Sequence, residues 1–394
     1  MFFIIKLFKN EKNYAKLKPI AVFFGGKSTE HDVSVITGVL TLNSIDKTKY
    51  KAVAVYIDKN GKWYGGDGLN SLEFYKKPDF SKLKRLFTAA GDNTVYCFKG
   101  KKAVPYFKPE TAILCMHGIN GEDGALTGLL RLSGMAVVSP NIFAQAAAID
   151  KDYTKLVLKG LGVPYVDYVR VLRDRFYEKK QATVDFCAKT LGFPMIVKPS
   201  RLGSSIGIKT VYEKEELERA ISAAFAFDDK VILEKYLNGA RDLNAAVYCS
   251  NGIIHVSRVE EAITANDILT FEDKYGGGKS SAAGMASSRR ESACVSEKIK
   301  NKIFEYSEKI YRKLDFGSIV RFDFLLCDDK VYLNEINAIP GSLAYYFFCD
   351  KISDFSKLLT ELIDEAEKKR RRENNFITEF DSFVLSGDFS GVKK

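Results

Sequence analysis

The chain has 394 residues, of which 46% are apolar, 28% charged and 12% aromatic. This balance is typical of a folded globular protein, and it excludes a disordered, collagenous or coiled-coil chain. Since a domain takes roughly 150 residues, the length predicts two or three domains. The formal net charge of +10 fits an anionic small ligand, a nucleic acid or a membrane surface, so charge by itself does not select the partner.

Residues 1–18 are predicted to be an N-terminal extension. Their apolar start, MFFIIKLFKN, is interrupted at Lys6, so it is too short for a transmembrane helix, and it lacks the small-residue cleavage site of a signal peptide. The seven cysteines are widely spaced with no C-x-x-C pair, which favours reduced thiols over disulfides or a zinc site. These features predict a cytoplasmic protein with no membrane partner.

Residues 19–139 carry the pattern of an α/β domain. The apolar run IAVFF ends in Gly25-Gly26 and leads into apolar positions at helical spacing, which predicts a strand, a glycine turn and a helix. KAVAVYID at 51–58 and TAILCMHG at 111–118 predict two further strands, with hairpin-like pieces between them. The alternation of strands and helices predicts a parallel sheet.

Two more domains are predicted in the rest of the chain. Residues 140–236 repeat a helix and a strand and form a central subdomain. Residues 237–372 begin with an antiparallel pair that turns at an Asn-Gly dipeptide (251–252) and finish with a helix, a hairpin and a last helix. Inside this domain the polar stretch at about 264–292 exceeds the roughly 15 residues of ordinary loops, which predicts a mobile functional loop. Residues 373–394 form a C-terminal tail to which the sequence assigns no role.

The densest basic run is KKRRR at 368–372, which follows the acidic ELIDEAE at 361–367. Acids toward the start and cations toward the end suit the dipole of a helix, so the run is predicted to end a solvated helix. No zinc-finger, RNP or basic-zipper pattern accompanies the charge. We therefore expect no nucleic-acid partner.

Two lysines are placed where they could bind phosphate. In the segment 195–208, MIVKPSRLGSSIGI, a strand delivers Lys198, the chain turns at Pro199, and a glycine- and serine-rich loop follows. Such a loop supplies amides and hydroxyls around phosphate oxygens. Lys151 opens a helix in AIDKDYTK, where a lysine opposes the dipole and is therefore either solvated or facing an anion.

Glu30 and His117 are two further candidates. Glu30 lies at the start of the helix after the glycine turn, where a carboxylate either suits the dipole or holds a substrate ammonium. His117 ends a strand at the edge where α/β proteins bind their ligands. His31 and His255 are predicted to be structural, since the three histidines are too dispersed to form a metal site.

The segment VRFDFLLCDDKVYLNEINAIPG predicts a hairpin with a metal site. Alternation places Arg321 and Asp323 on one face of the first strand, and Glu335 and Asn337 on one face of the second. A turn near Asp329 puts Asp323 opposite Glu335, where like charges would destabilise an ordinary sheet. Two carboxylates and an amide oxygen are hard ligands of the kind that Mg²⁺ prefers. The alternative is a solvent-facing hairpin, but the apolar remainder of both strands favours the metal site.

In this order the motifs resemble those of the D-alanine–D-alanine ligases of the ATP-grasp superfamily, from about residue 19 to 372. The resemblance rests on GGKSTEHDVS, HGINGEDGALTGLL, AIDKDYTK, PMIVKPSRLGSSIGI, DKY, VRFDF and NEINAIPG. It implies a three-domain α/β architecture of the ATP-grasp type. ATP would lie between the central and C-terminal domains, and D-alanine in the groove that they form with the N-terminal domain.

The resemblance implies a reaction and a role for each motif residue. Two D-alanines would be joined through D-alanyl phosphate for peptidoglycan precursors, by an enzyme expected to be a homodimer. The residues that would bind ATP are Lys151, Lys198, Ser205, Glu234, Lys235, Leu237, Asp242 and Lys274. Two Mg²⁺ ions, or Mn²⁺ in their place, would be bound by Asp323, Glu335 and Asn337. Glu30 would bind the ammonium of the first D-alanine, and Ser204 and Tyr275 would be hydrogen-bonded with Glu30. Arg321 and the Gly341 amide would stabilise the oxyanion. The other residues at the substrates would be His117, Ser342 and Leu343. The long loop, with Lys274 and Tyr275, would close over the site.

One departure leaves the second substrate open. Ser342-Leu343 follows Gly341 directly, whereas the family places a few residues between the glycine and its carboxylate-binding Ser-Leu pair. A related ligase that joins D-alanine to D-serine, D-lactate or another amino acid is therefore the alternative. A nucleotide-binding module without ligase activity and a basic nucleic-acid binder are less favoured, because the motif lysines and carboxylates are complete.

Overall fold

A computed structural model describes residues 17–262 and 290–380 of the chain. Within these residues the strands form three sheets of eight, four and six strands. No helix in this part of the chain combines the length and the apolar character needed to cross a bilayer.

The first sheet is half parallel and half antiparallel. Its strands are β1 (Lys18–Gly25), β2 (Tyr50–Ile57), β3 (Trp63–Gly65), β4 (Lys84–Ala89), β5 (Asp92–Lys99), β6 (Lys102–Phe107), β7 (Thr111–Leu114) and β8 (Ala136–Val138), in the order β6-β5-β4-β3-β2-β1-β7-β8. The parallel sheet predicted from the sequence is confirmed for β2, β1, β7 and β8. Strands β3 to β6 instead form an antiparallel meander. The turns from β4 to β5 and from β5 to β6, at 90–91 and 100–101, are too short for parallel crossovers. The five residues Ile20–Phe24 are 0% exposed, as expected for a central strand.

Three helices accompany this sheet: α1 (His31–Ser44), α2 (Leu72–Lys76) and α3 (Ala125–Leu132). Helix α1 follows the glycine turn at Gly25-Gly26 as predicted, and both glycines have positive φ values, of 87° and 107°. A Cβ at Gly25 would lie 2.2 Å from the Ile57 carbonyl oxygen, so only glycine fits this turn. The turn thereby brings the start of α1 to the carboxyl end of the parallel strands.

The second sheet is antiparallel. Its strands are β9 (Tyr168–Leu172), β10 (Met195–Pro199), β11 (Lys209–Val211) and β12 (Lys230–Lys235), in the order β11-β10-β12-β9. The surrounding helices are α4 (Ile142–Ile149), α5 (Lys151–Leu161), α6 (Arg173–Glu178), α7 (Lys180–Leu191) and α8 (Lys214–Ala224). The side chain of Asp150 caps α5 by accepting from the amides of Asp152 and Tyr153, and Gly162 ends the helix in the left-handed conformation.

The third sheet contains the predicted hairpins. Its strands are β13 (Arg241–Ser250), β14 (Ile253–Val256), β15 (Glu260–Ala262), β16 (Arg290–Ser292), β17 (Val320–Cys327) and β18 (Lys330–Asn337). Their order is β16-β15-β13-β17-β18, and β14 pairs with β13. The turn at Asn251-Gly252 has the positive φ values of a tight hairpin, 51° and 78°, so that prediction is confirmed. Helix α9 (Glu297–Lys313) packs on this sheet. Helix α10 (Phe355–Asn374), which carries the basic run near its end, packs on β13 and on β7 and β8 of the first sheet.

Candidate active site

The candidate site is a pair of adjoining cavities where the three sheets meet. Both cavities are lined by Glu30, Glu122, Glu335 and Asn337. The first adds Lys151 and the loop 201–203, and the second adds His117, Ser204, Arg321 and Gly341. Residues predicted from motifs that are far apart in sequence thus surround one space.

Glu30 presents a buried carboxylate to this space. It is the N-cap residue of α1 but makes no side-chain cap, and it is 7% exposed. The hydroxyl of Ser204 donates to Glu30 Oε1, as the resemblance implied. Two glycines approach the carboxylate closely: a Cβ at Gly203 would lie 3.1 Å from each of its oxygens, and one at Gly118 would lie 3.1 Å from Oε2. The glycine-rich loop therefore leaves room for this carboxylate, which suits a small ammonium ligand.

Lys151 reaches the site from the first turn of α5. Its Nζ donates to the Leu202 carbonyl at 2.6 Å and lies 3.7 Å from Glu335 Oε2. Burial lowers the pKa of this lysine, and the charge of Glu335 opposes that effect. The sequence left open whether Lys151 is solvated or faces an anion. In the structure it is buried and faces the Glu335 carboxylate.

Lys198 belongs to a buried ladder of charges. Its Nζ lies 2.6 Å from Glu234 Oε2, and the other oxygen of that carboxylate lies 2.8 Å from Lys155 Nζ. All three residues are at most 5% exposed. Burial by itself would raise the pKa of Glu234, but the two lysines outweigh it and hold this pKa at about 2. The ladder fixes Lys198, which also donates to Asn334 Oδ1 at 3.3 Å.

The remaining predicted ATP contacts lie around this ladder. Lys235 is an exposed residue at the end of β12, Leu237 follows it half-buried, and Asp242 is half-buried in β13. Ser205 follows Ser204 in the loop, and both have positive φ values, of 59° and 53°. Lys274 and Tyr275 lie outside the described residues, so their roles stay predictions.

The hairpin of β17 and β18 has the predicted register. Asp323 pairs with Glu335 and Arg321 pairs with Asn337, and a bulge follows Asp323. Arg321 holds Asp323 through two hydrogen bonds of 2.6 and 2.7 Å, and Asn337 Nδ2 donates to the same carboxylate at 3.1 Å. The interstrand pairing therefore brings together the side chains that the sequence predicted as metal ligands.

These hairpin side chains could hold a divalent metal. Carboxylates of Asp323 and Glu335 stand on opposed strands beside the Asn337 amide, and hard oxygen donors of this kind suit Mg²⁺. Among the described residues no group of three or more His, Cys, Asp and Glu side chains gathers at one point. The donor set is thus two carboxylates and an amide, which leaves coordination positions for phosphate oxygens.

His117 lines the second cavity as a buried neutral ring. It is 4% exposed, and Nε2 is 3.0 Å from the Thr37 hydroxyl. Burial lowers the pKa of His117 to about 4. The other two histidines have the structural contacts expected of them, since His31 lies between the Gly26 carbonyl and the Tyr56 hydroxyl and His255 stacks on Tyr248.

The chain after Gly341 adopts an unusual backbone. Ser342, Leu343 and Ala344 have φ values of 54°, 47° and 48°, three consecutive non-glycine residues in the left-handed region. Each such residue costs roughly 1–2 kcal/mol, so the surroundings must hold the turn. Ser342 and Leu343 are each 3% exposed, and their amides donate to Thr37 Oγ1 at 3.0 Å and to the Pro340 carbonyl at 2.9 Å. Their predicted contact with the second substrate stays a prediction.

Three residues of the site were not predicted from the sequence. Lys155 lies four residues after Lys151, the spacing that puts both on one face of α5. Thr37 lies seven residues after Glu30, two turns along α1 on the same face. Glu122 accepts from the amides of Gly118 and Ile339 at 2.9 and 3.0 Å. Burial, followed by the charge of Glu30, raises the pKa of Glu122 well above that of an ordinary carboxyl.

Comparison with known proteins gives a consistent result over most of the chain. The family model for the N-terminus of D-ala D-ala ligases matches residues 19–140, and the model for their C-terminus matches residues 157–364. A protein of Thermosipho melanesiensis named D-alanine–D-alanine ligase is 38% identical over 353 residues, which cover 88% of this chain and 92% of that protein. The protein of the same name from Chloroherpeton thalassium is 32% identical and is covered to 99%, with 90% of this chain covered.

Solved structures give the same fold. The D-alanine–D-alanine ligase of Helicobacter pylori superposes with a TM-score of 0.71 at 28% identity, covering 89% of this chain and 98% of that protein. The VanG D-Ala:D-Ser ligase of Enterococcus faecalis superposes with a TM-score of 0.72 at 26% identity, covering 90% of this chain and all 100% of that protein. The fold is therefore shared by ligases whose names give different second amino acids.

Proposed function

The chain belongs to the D-alanine–D-alanine ligase family, and we propose that the pocket around Glu30, Lys151 and Glu335 is where it joins two D-alanines with conversion of ATP to ADP. The observation that carries this proposal is the meeting of the three elements at one space: an ammonium-binding carboxylate, phosphate-binding lysines and a pair of opposed hairpin carboxylates. The enzyme is an ADP-forming ligase of peptidoglycan precursor synthesis. The roles of individual residues below are part of the proposal.

In the first step the carboxylate of one D-alanine attacks the γ-phosphorus of ATP. The new bond joins the carboxylate oxygen to phosphorus, the bond to the β,γ-bridging oxygen breaks, and ADP leaves. Glu30 binds the ammonium of this D-alanine, and Ser204 orients the Glu30 carboxylate. Lys151 and Lys198 neutralise the charge on the transferring phosphoryl group, and the buried Glu234 keeps Lys198 in place.

ATP and a divalent metal are used throughout this family. We propose two Mg²⁺ ions held by Asp323, Glu335 and Asn337, since these side chains supply oxygen donors on facing strands. When bound, the ions would draw negative charge from the phosphate oxygens. Lys151 lies 3.7 Å from Glu335 and would complete the positive surroundings of the γ-phosphate.

In the second step the amine of another D-alanine attacks the acyl carbon of D-alanyl phosphate. A carbon–nitrogen bond forms and the carbonyl oxygen becomes an oxyanion. Collapse of this intermediate breaks the bond between the acyl carbon and the phosphate oxygen, and the departing inorganic phosphate takes up the proton that the amine loses. Arg321, held by Asp323, and the amide of Gly341 line the second cavity, where they would donate to this oxyanion.

ADP release by the purified protein with Mg²⁺, ATP and D-alanine tests the function, with mass spectrometry of the product. Parallel reactions offer D-serine, D-lactate and L-alanine as partners for D-alanine. Rapid ADP formation with D-alanyl-D-alanine as the main product is expected. Turnover only with another partner would move the specificity to the segment after Gly341, where the Ser342 and Leu343 amides are already engaged.

We also propose the organisation that the sequence predicted. The domain bounds 19–139, 140–236 and 237–372 are supported by the three separate sheets. The chain is proposed to be a cytoplasmic homodimer without a membrane or nucleic-acid partner. Light scattering of the purified protein tests the homodimer, and cell fractionation tests the cytoplasmic location and the lack of a membrane partner. ATP turnover in the presence of a polynucleotide tests the lack of a nucleic-acid partner.

A further inference from the structure

The backbone amides between Ile339 and Leu343 are almost all engaged within the protein. Ile339 donates to Glu122 Oε1 at 3.0 Å, Ser342 to Thr37 Oγ1 at 3.0 Å, and Leu343 to the Pro340 carbonyl at 2.9 Å. Pro340 has no amide hydrogen. Of this run, only the Gly341 amide donates to none of the described residues, and Gly341 lines the cavity that also holds Arg321.

Thr37 connects the turn to a second buried group. Its oxygen accepts from the Ser342 amide, so its one hydrogen is available to His117 Nε2, which lies 3.0 Å away. The ring can accept because burial holds the pKa of His117 at about 4, which keeps the ring neutral near pH 7. The Ser342 amide therefore donates to Thr37, and Thr37 in turn shares a hydrogen bond with His117 whose direction follows the tautomer of the ring.

The position of Thr37 places it on the same helix as the substrate anchor. Glu30 is the N-cap residue of α1 and Thr37 lies seven residues later, so one face of α1 carries both the carboxylate proposed for the first D-alanine and the contact with the turn. Thr37 is 1% exposed, and the turn it holds has three residues in the left-handed region. Without its hydroxyl the buried Ser342 amide would have no partner, and the turn would relax.

We propose that Thr37 is a positioning residue for the second chemical step. Its hydroxyl fixes the left-handed turn at 342–344 and thereby holds the Gly341 amide toward the oxyanion formed by attack on D-alanyl phosphate. This inference rests on the proposed function. It assigns to Thr37 no contact with ATP or with the first D-alanine, so phosphoryl transfer does not depend on it.

The test is a rapid-quench comparison of ADP formation and dipeptide formation in three variants. Thr37→Val removes the hydroxyl at nearly constant volume, Thr37→Ser retains it, and Thr41→Val makes the same change one turn along α1. Thr41 is 0% exposed and accepts from the Cys115 thiol, away from the turn, so it is a matched control. Thermal unfolding is measured for each, and Thr37→Ala replaces Thr37→Val if the latter does not fold.

In Thr37→Val we expect ADP formation in the first turnover at the wild-type rate and dipeptide formation slowed about 10- to 100-fold. ADP would then exceed dipeptide as D-alanyl phosphate is hydrolysed. Thr37→Ser is expected within about threefold of the wild type, and Thr41→Val should retain equal ADP and dipeptide. Equal slowing of both steps in Thr37→Val, or wild-type rates for both, would overturn the inference while leaving the proposed function intact. Wild-type protein that forms no dipeptide would overturn both.

Discussion

On the nucleotide side of the pocket the charged side chains come from regular elements, namely Lys155 from α5, Lys198 from β10 and Glu234 from β12. On the acceptor side, where both D-alanines are proposed to bind, the groups come from turns and loops. They are Gly203 in the glycine-rich loop, His117 in the segment that follows β7, and the left-handed turn after Gly341. The nucleotide side is held by strand register and ion pairs, whereas the acceptor side is held by hydrogen bonds between distant segments. We therefore expect activity to depend mainly on the charge of the side chains on the nucleotide side and mainly on backbone geometry on the acceptor side.

The largest effect is expected from removing a phosphate-binding charge on the nucleotide side. Lys198→Met should slow ATP turnover by about 10³-fold, because the transferring phosphoryl group loses a buried cation. Steady-state ADP release measures this loss. Lys209→Met on the neighbouring strand β11 is the control. Lys209 is exposed, and its Nζ lies 3.8 Å from Glu216 Oε1 in a surface ion pair. Similar losses in both variants would show that net charge, not position, is responsible.

A second way to break the nucleotide side is to neutralise the centre of its ladder. Glu234→Gln leaves Lys155 and Lys198 buried without their shared carboxylate, so the free energy of unfolding should fall by about 3–5 kcal/mol. Denaturant unfolding measures the change. The surface substitution Glu216→Gln should cost less than about 1 kcal/mol. If Glu234→Gln loses as little stability as the surface variant, the buried charge ladder does not stabilise the fold.

The buried His117 on the acceptor side should make the free energy of unfolding depend on pH. His117 has a pKa of about 4 when folded and 6.5 ordinarily, so between these values the unfolded state binds more protons. Stability therefore falls as the pH falls through that window, by about 2 kcal/mol between pH 7.5 and 5. We expect His117→Asn to lose this part of the slope in unfolding curves measured over the pH series. Parallel curves for variant and wild type would rule out a buried neutral His117.

The smallest effect is expected from crowding the acceptor side without changing its charge. A Cβ at Gly203 would lie 3.1 Å from both oxygens of Glu30, so Gly203→Ala should displace the carboxylate and raise the KM for D-alanine about tenfold. The kcat should change less. Gly160→Ala in α5 is the control, because a Cβ there meets nothing within 4 Å, and it should leave KM unchanged. An unchanged KM in Gly203→Ala would mean that the loop gives way.

Much of the nucleotide side could be predicted because its residues occur in short, regular patterns. The alternation in VRFDF and NEIN gave the pairing of Asp323 with Glu335, and the strand before Pro199 gave Lys198. Lys155 could have been found by the same reasoning from its spacing of four from Lys151. Its importance was hidden because the partner Glu234 lies 79 residues later in the chain.

The sequence by itself determined the helices, the hairpin register, the glycine turn before α1 and the set of motif residues, since these depend on local spacing, side-chain alternation and the φ freedom of glycine. The tertiary structure alone decided that Glu122 binds the Ile339 amide, that Thr37 binds the Ser342 amide and His117, and that the predicted hairpin-like pieces join the parallel strands in one sheet. The physical reason is that such contacts join residues separated by as many as 305 positions, as in the Ser342–Thr37 hydrogen bond, and no local pattern records them.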